Sequence, residues 1–228
     1  MSRPKFTITD LFGNDTKFIT YKLNGKTVIR RSSAPTKEQI STDPAYHKVK
    51  MNNQEFAGAT VLSKAIRNQH IAPVYSAFKD SYMAGRLTGV CRKIIQQGAG
   101  AVGNREACIA THGRTLIHFP FNKQKPLNYV FNGQIQVQTT PARTSLTIET
   151  QIAKWLSSGQ PKHATHVQFT GACVTVAKHT FNNKTKRYTP KHPKQNALGQ
   201  YTVSEPIPIS TTATDLQMHL QLPMTEPL

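Results

Sequence analysis

The sequence predicts an α+β fold: an N-terminal hairpin and helical bundle, followed by an antiparallel β-sandwich of the immunoglobulin-like (Ig-like) kind. Three observations predict it. Residues 16–31 hold two β-rich runs split by Asn24-Gly25, a strong hairpin signal because both residues accept positive φ. Residues 52–98 carry apolar side chains at helical steps. From residue 127 onward the apolar period changes to two, in short runs spaced as in a sandwich. The 228 residues are therefore divided into a basic hairpin plus helical region, 1–126, and a β-sandwich domain, 127–228. Domains of roughly 100–200 residues make both divisions a reasonable size.

The hairpin strands are read at 17–22 and 26–30. Thr36-Lys37-Glu38-Gln39 offers a cap with acid and amide groups in the first turn, so a short helix is expected there. Phe56, Ala59, Thr60, Ser63, Ile66 and Arg67 fall at helical spacing. Pro73 suits the first turn of a second helix carrying Ile71, Val74, Tyr75 and Phe78. A third helix covers 81–97, with Met83, Leu87, Val90, Cys91, Ile94 and Ile95 on its apolar face, and Gly98 and Gly100 end it.

In the second half, Ile135 and Val137 alternate with glutamines, and Leu146 and Ile148 alternate with polar residues, with Pro141-Ala142 turning between the two strands. A strand at 166–176 changes register at Cys173-Val174, which predicts a bulge or a strand buried on both faces. Residues 201–203 and 207–209 form a strand interrupted by Pro208, expected at an edge. Leu216, Met218, Leu220 and Leu222 alternate with Gln217, His219 and Gln221, and a short tail with Pro223 and Pro227 follows. This last strand is expected to be an open edge without Lys or Arg protection, inviting self-association.

Lys and Arg number 29 against 11 Asp and Glu, for a net charge of +18. Such a charge repels itself unless something negative compensates it. Residues 1–126 carry 20 cations against 7 acids, and 127–228 carry 9 against 4. Cys91, Cys108 and Cys173 are too few and too widely spaced for a disulfide framework. Cys91 and Cys173 lie among apolar residues and read as small buried hydrophobes. No apolar run follows the basic start, so no secretory signal is read, and no stretch has the length of a membrane span. The expected compartment is the cytoplasm.

Chemical motifs are sparse. Gly98-Ala-Gly100-Ala-Val-Gly103 has the dinucleotide spacing but follows a helix rather than a strand, so it reads as a helix exit. Cys108, His112 and His118 lack the two tight ligand pairs of a zinc site. No G-x-S-x-G occurs and no two acids stand close together. Neither an enzyme nor a cofactor is expected.

The cations form clusters. Lys17, Lys22, Lys26, Arg30 and Arg31 lie in the hairpin, and Lys64 and Arg67 share a helical face. Lys79, Arg86 and Lys93 are seven apart and are read as one stripe along the third helix. Lys184, Lys186, Arg187, Lys191 and Lys194 fall in a proline-containing loop with Tyr188 between them. Phosphate backbones reward such clusters through counterion release, and Tyr188 is expected to stack on a base.

Three segments, Asn24-Gly-Lys-Thr-Val-Ile-Arg-Arg31, Ser41-Thr-Asp-Pro44 and Asn52-Asn-Gln-Glu-Phe56, precede Arg86-Leu-Thr88 and Ala164-Thr-His-Val167. In this order they resemble a family of uncharacterised proteins from Bacteroidota, over most of the chain. The resemblance implies a bacterial source and a helical part followed by a β part. It also implies that relatives continue for several strands beyond Leu228, leaving a sandwich edge open or filled by another subunit. It carries no activity across. The expected function is therefore non-enzymatic binding of a polyanion, nucleic acid first, with low sequence specificity. The alternative is a structural subunit that assembles through strand edges.

Overall fold

The computed structural model describes residues 18–31, 35–129, 131, 133–142, 144–152, 163–210 and 214–222. Helices and antiparallel strands both occur, as an α+β chain requires. Two compact units are present, residues 1–49 and 50–228.

In the first unit, β1 (Phe18–Leu23) pairs antiparallel with β2 (Lys26–Arg31). Asn24 at φ 50° and Gly25 at φ 77° make the two-residue turn, the positive-φ pair that a type I′ hairpin needs. The side chains of Arg30 and Arg31 lie outside the described residues, as do Lys17 and the tail after Leu222. Helix α1 (Lys37–Thr42) opens on a complete capping box: Thr36 accepts from the Gln39 N–H, and the Gln39 side chain accepts from the Thr36 N–H. None of residues 21–29 and 35–49 is buried.

The second unit holds the core. Helix α2 (His47–Ile66) buries Glu55, Gly58, Ala59, Leu62, Ser63 and Ala65. Its inward face is therefore turned by about one residue from the expected one, and Phe56 is 54% exposed. On this face Glu55 accepts the Gly103 N–H, and a Cβ on Gly58 would meet the Tyr188 ring. Helix α3 (Ala72–Phe78) has Pro73 in its first turn. Helix α4 (Met83–Gln97) buries Met83, Leu87, Cys91, Ile94 and Ile95, close to the expected face. These side chains join Ala59, Leu62 and Ala107 in one cluster. A short helix α5 (Ile109–His112) follows.

Among the described residues, the strands of this unit form four separate antiparallel sheets, not the two continuous sheets of an Ig-like sandwich. The largest has the order β11–β4–β3: Thr214–Gln221, Ser145–Ile152 and Ile135–Thr139. β6 (Thr170–Thr175) pairs with β9 (Leu198–Val203), β7 (His179–Asn182) with β8 (Arg187–Pro190), and β5 (His166–Val167) with β10 (Ile207–Pro208). Gly171 of β6 faces Ile148, Met218 and Leu220; a Cβ there would sit 2.9 Å from Ile148 Cδ1. This close approach packs β6 onto the apolar side of the three-stranded sheet.

Three strand expectations change. The break near 166–176 falls at Gln168-Phe169, and β6 alternates regularly, with Gly171, Cys173 and Thr175 inward, so there is no bulge at Cys173. The loop at 184–194 is largely a hairpin, β7–β8. β11 is bonded to β4 along its length and packs beside β9 on its other side, where Gln200 Oε1 accepts the Gln221 N–H. β11 ends its sheet, as expected of an edge strand, but Leu220 is 1% exposed, so its apolar face is turned into the core. The other end of that sheet is β3.

The division expected at 126/127 falls inside the second unit. Helical and strand regions pack together there: Val176 sits against the helical cluster, and Ile71 Cγ2 lies 3.2 Å from where a Cβ of Gly199 would stand.

Candidate nucleic-acid interface

Among the described residues, a dense group of exposed cations lies on the β7–β8 hairpin and the turn after it. Asn182 Oδ1 accepts the N–H groups of Lys184 at 2.9 Å and Thr185 at 3.2 Å, an Asx turn that shapes the tip. Lys186 completes it at φ 54°. Lys184, Lys186 and Arg187 point to solvent, as do Lys191 and Lys194. Lys194 is carried by a 3-10 turn at Pro193–Gln195. No Asp or Glu occurs between Glu149 and Glu205, so no acid within this stretch offsets these charges.

Tyr188 does not belong to that exposed group. It is 5% exposed, because β pairing alternates side chains and turns Tyr188 inward between Arg187 and Thr189. Its ring meets Phe181 edge-on, with centroids 5.4 Å apart, and lies over Gly58 of α2. A Cβ on Gly58 would come within 2.8 Å of three ring carbons, so only glycine fits. The hydroxyl donates to Gly103 O at 3.4 Å. Burial, with the charge of Glu55 adding, pushes the phenol up to about 12. Tyr188 thus anchors the basic hairpin and is not available for base stacking.

The same contact accounts for the glycine motif. Gly103 has φ 93°, and a Cβ there would fall on Met51 Sδ. Its N–H donates to Glu55 Oε1 at 2.9 Å, and Arg105 Nη1 lies 3.5 Å from the same oxygen. This amide faces a buried carboxylate of the chain itself instead of a pyrophosphate. Nearby, Glu106 pairs with Lys178, which holds its carboxyl below the usual range, with Lys191 adding to the effect.

The helical cations are less uniform than a stripe. Lys79 lies in the turn after α3, before α4 begins, with Nζ 5.6 Å over the Tyr75 ring. Arg86 is bound in an ion pair with Asp80 at 2.7 Å. Lys93 and Lys64 are exposed. Arg67 lies just beyond α2, part-buried, with Nε 3.4 Å from Ser63 Oγ. In the first unit, Lys22 and Lys26 are exposed on the hairpin.

A further group escaped the sequence reading. Phe78 is 49%, Tyr82 78% and Phe121 36% exposed, and Lys79, Lys123 and Lys125 are exposed with them. The signal was present in 78–82 as aromatic residues beside Lys79, but periodicity assigns Phe78 to a helical core face. The backbone contact that joins 80 to 121 is not visible in either segment alone.

Among the described residues, no three His, Cys, Asp or Glu side chains are grouped to hold a metal, and no helix is long and apolar enough to cross a membrane. No protein-family model, curated protein or solved structure matches the chain.

Proposed function

We propose that this chain is a non-enzymatic nucleic-acid-binding protein that holds the phosphate backbone with low sequence specificity. The observation that carries this reading is the anchored hairpin: Lys184, Lys186, Arg187, Lys191 and Lys194 held outward in a stretch without acids. Anchoring matters because a rigid array of cations loses less side-chain and loop freedom on binding than a loose one. A binding role also suits the acids, since Glu55, Asp80 and Glu106 are each engaged by a cation of the chain. The packing of β6 on the three-stranded sheet supports a sandwich as the framework of this region.

The test is retention of a mixed-sequence duplex as salt is raised. Phosphate neutralisation predicts a linear fall of log affinity with log salt. Replacing Lys184, Lys186, Arg187, Lys191 and Lys194 together by Gln should weaken all sequences alike and reduce that slope by several units. A wild-type slope near zero, or no retention at about 50 mM salt, overturns the proposal. Protein purified without nuclease should carry an ultraviolet absorbance excess from nucleic acid.

A second reading, assembly through strand edges, is favoured by β3. It ends its sheet, and Ile135 and Val137 are 44% and 56% exposed. No Lys, Arg or Pro guards the strand, whereas edge strands are ordinarily guarded by such residues.

A further inference from the structure

Asp80 sits in the turn between α3 and α4 and ties two distant segments together. Its Oδ1 and Oδ2 both accept from Arg86 Nη1 at 2.7 Å. Oδ1 also accepts the Tyr82 N–H, and Oδ2 the Lys123 N–H, each at 2.9 Å. The Asp80 N–H donates to Phe121 O at 3.1 Å. Arg86 Nη2 donates to Pro120 O at 2.8 Å, and its guanidinium lies 5.7 Å over the Phe119 ring. Charge-assisted bonds of this kind are strong and directional. They clamp the turn 79–83 against the segment 119–123.

On these two clamped segments stand the rings of Tyr82 and Phe121, with Phe78 at the end of α3 just before them, all exposed, and the ammonium groups of Lys79 and Lys123 beside them in sequence are likewise exposed. Three large rings in water are unfavourable by their apolar area, so a clamp that holds them there implies an occupant. Charge selects it. Asp80 is the sole acid between Glu55 and Glu106, and its charge is neutralised by Arg86 and two backbone N–H groups. What remains around the rings is cationic.

We propose that Phe78, Tyr82 and Phe121 form a stacking platform for the bases of single-stranded nucleic acid, with Lys79 and Lys123 holding its phosphates. The proposal rests on the polyanion reading above and narrows it to a strand form. Unpaired bases offer faces to aromatic rings, whereas a duplex hides them. Stacking on π-faces discriminates little between sequences, in keeping with a protein that reads backbone more than bases. Ribose and deoxyribose strands share this chemistry.

The experiment compares oligo-dT, oligo-U and a mixed-sequence duplex of equal length, by anisotropy at one fixed low salt. Wild-type protein should bind the single strands more tightly than the duplex. The triple variant Phe78→Ala/Tyr82→Ala/Phe121→Ala should lose about tenfold or more for single strands, with the duplex affinity unchanged. Tyr82→Phe should keep full affinity. Tyr82→Ala alone, at the most exposed ring, guards against a folding defect in the triple variant and should lose several-fold. If duplex and single strands bind equally and the triple variant changes neither, the platform is overturned while polyanion binding stands. If all three ligands weaken together, the rings serve the fold and the platform is likewise overturned. If wild-type protein binds none of them, the polyanion reading itself falls. A preference for oligo-U over oligo-dT, lost in the triple variant, assigns the platform to ribose strands.

Discussion

The three-stranded sheet and the basic hairpin are opposites in charge. β3, β4 and β11 contain Glu149 and Asp215 and not one Lys or Arg, in a chain of net +18. Their outward face is a lattice of amides and acids. Gln217 Nε2 donates to Glu149 Oε1 at 2.6 Å, Gln138 Nε2 to Glu149 Oε2 at 3.4 Å, and Gln151 Nε2 to Asp215 Oδ1 at 3.2 Å. The β7–β8 hairpin and the turn behind it hold five exposed cations in a stretch without acids. Among the described residues, exposed cations occur in many parts of the chain and leave the strands of this sheet cation-free. Like-charge repulsion gives that distribution a consequence. On the proposed function, a polyanion would be drawn to the hairpin, while a second copy of the chain would meet the least repulsion at the sheet.

The largest expected effect is on how firmly the hairpin is held. Tyr188 buries its ring on Gly58, so Tyr188→Ala should destabilise the second unit by about 3–4 kcal/mol, read as a lower urea midpoint. Tyr188→Phe keeps the ring and loses only the long bond to Gly103 O, and should change stability by less than about 1 kcal/mol. If both substitutions are harmless, the hairpin is a loose appendage and its contrast with the packed sheet disappears.

A smaller effect tests whether acids inside the basic region are neutralised by their neighbours. The bond from Arg86, with the N–H groups of Lys123 and Tyr82, holds the Asp80 carboxyl at about 2, below the usual value of about 4. A folded value below the unfolded one means stabilisation that is complete above pH ~4 and is lost as the pH falls through about 2. Asp80→Asn removes this linkage. The melting temperature of the variant should be lower than that of wild type at neutral pH and should fall less steeply between about pH 4 and 2. Parallel slopes over that window would show that Asp80 does not clamp the 119–123 segment in solution.

The two regions also differ in how well the sequence announced them. Asn24-Gly25, the Thr36 cap, Pro73 and the α4 face were legible because each acts within a few residues. The period-two runs at 134–138, 144–150 and 216–222 announced strands, but not their order in the sheet. Order in a sheet depends on long-range pairing, and β11 gained its neighbours β4 and β9 from far along the chain. The inward face of α2 was misjudged because Glu55 and Gly58 are determined by Gly103, Arg105 and Tyr188. A buried carboxylate reads as a surface residue until its partners are known. Tyr188 shows the same limit in reverse: an aromatic among lysines suggests a stacking surface, yet strand alternation turns it inward while leaving Arg187 out. The exposed cations at 184–194 were legible as charge, and their hairpin geometry was not.

The smallest expected effect on stability concerns the sheet side of the contrast. Val137 stands at the middle of β3, 56% exposed, so Val137→Lys should alter stability by no more than about 0.5 kcal/mol. Its effect on association should be much greater. If two β3 strands pair antiparallel about Val137, Ile135 of one lies opposite Thr139 of the other, and Gln136 opposite Gln138. Such pairing puts apolar side chains on one face and amides on the other, continuing both faces of the existing sheet. Lysine at the centre would place two ammonium groups directly opposite each other, which is destabilising, and would restore the guarding charge that edge strands ordinarily carry. Light scattering on nucleic-acid-free protein should therefore show concentration-dependent growth for wild type and a monomer for Val137→Lys, with Lys93→Gln as a surface control that leaves growth intact. Growth that persists in Val137→Lys would move association away from β3 and leave the cation-free sheet as a face without a second copy.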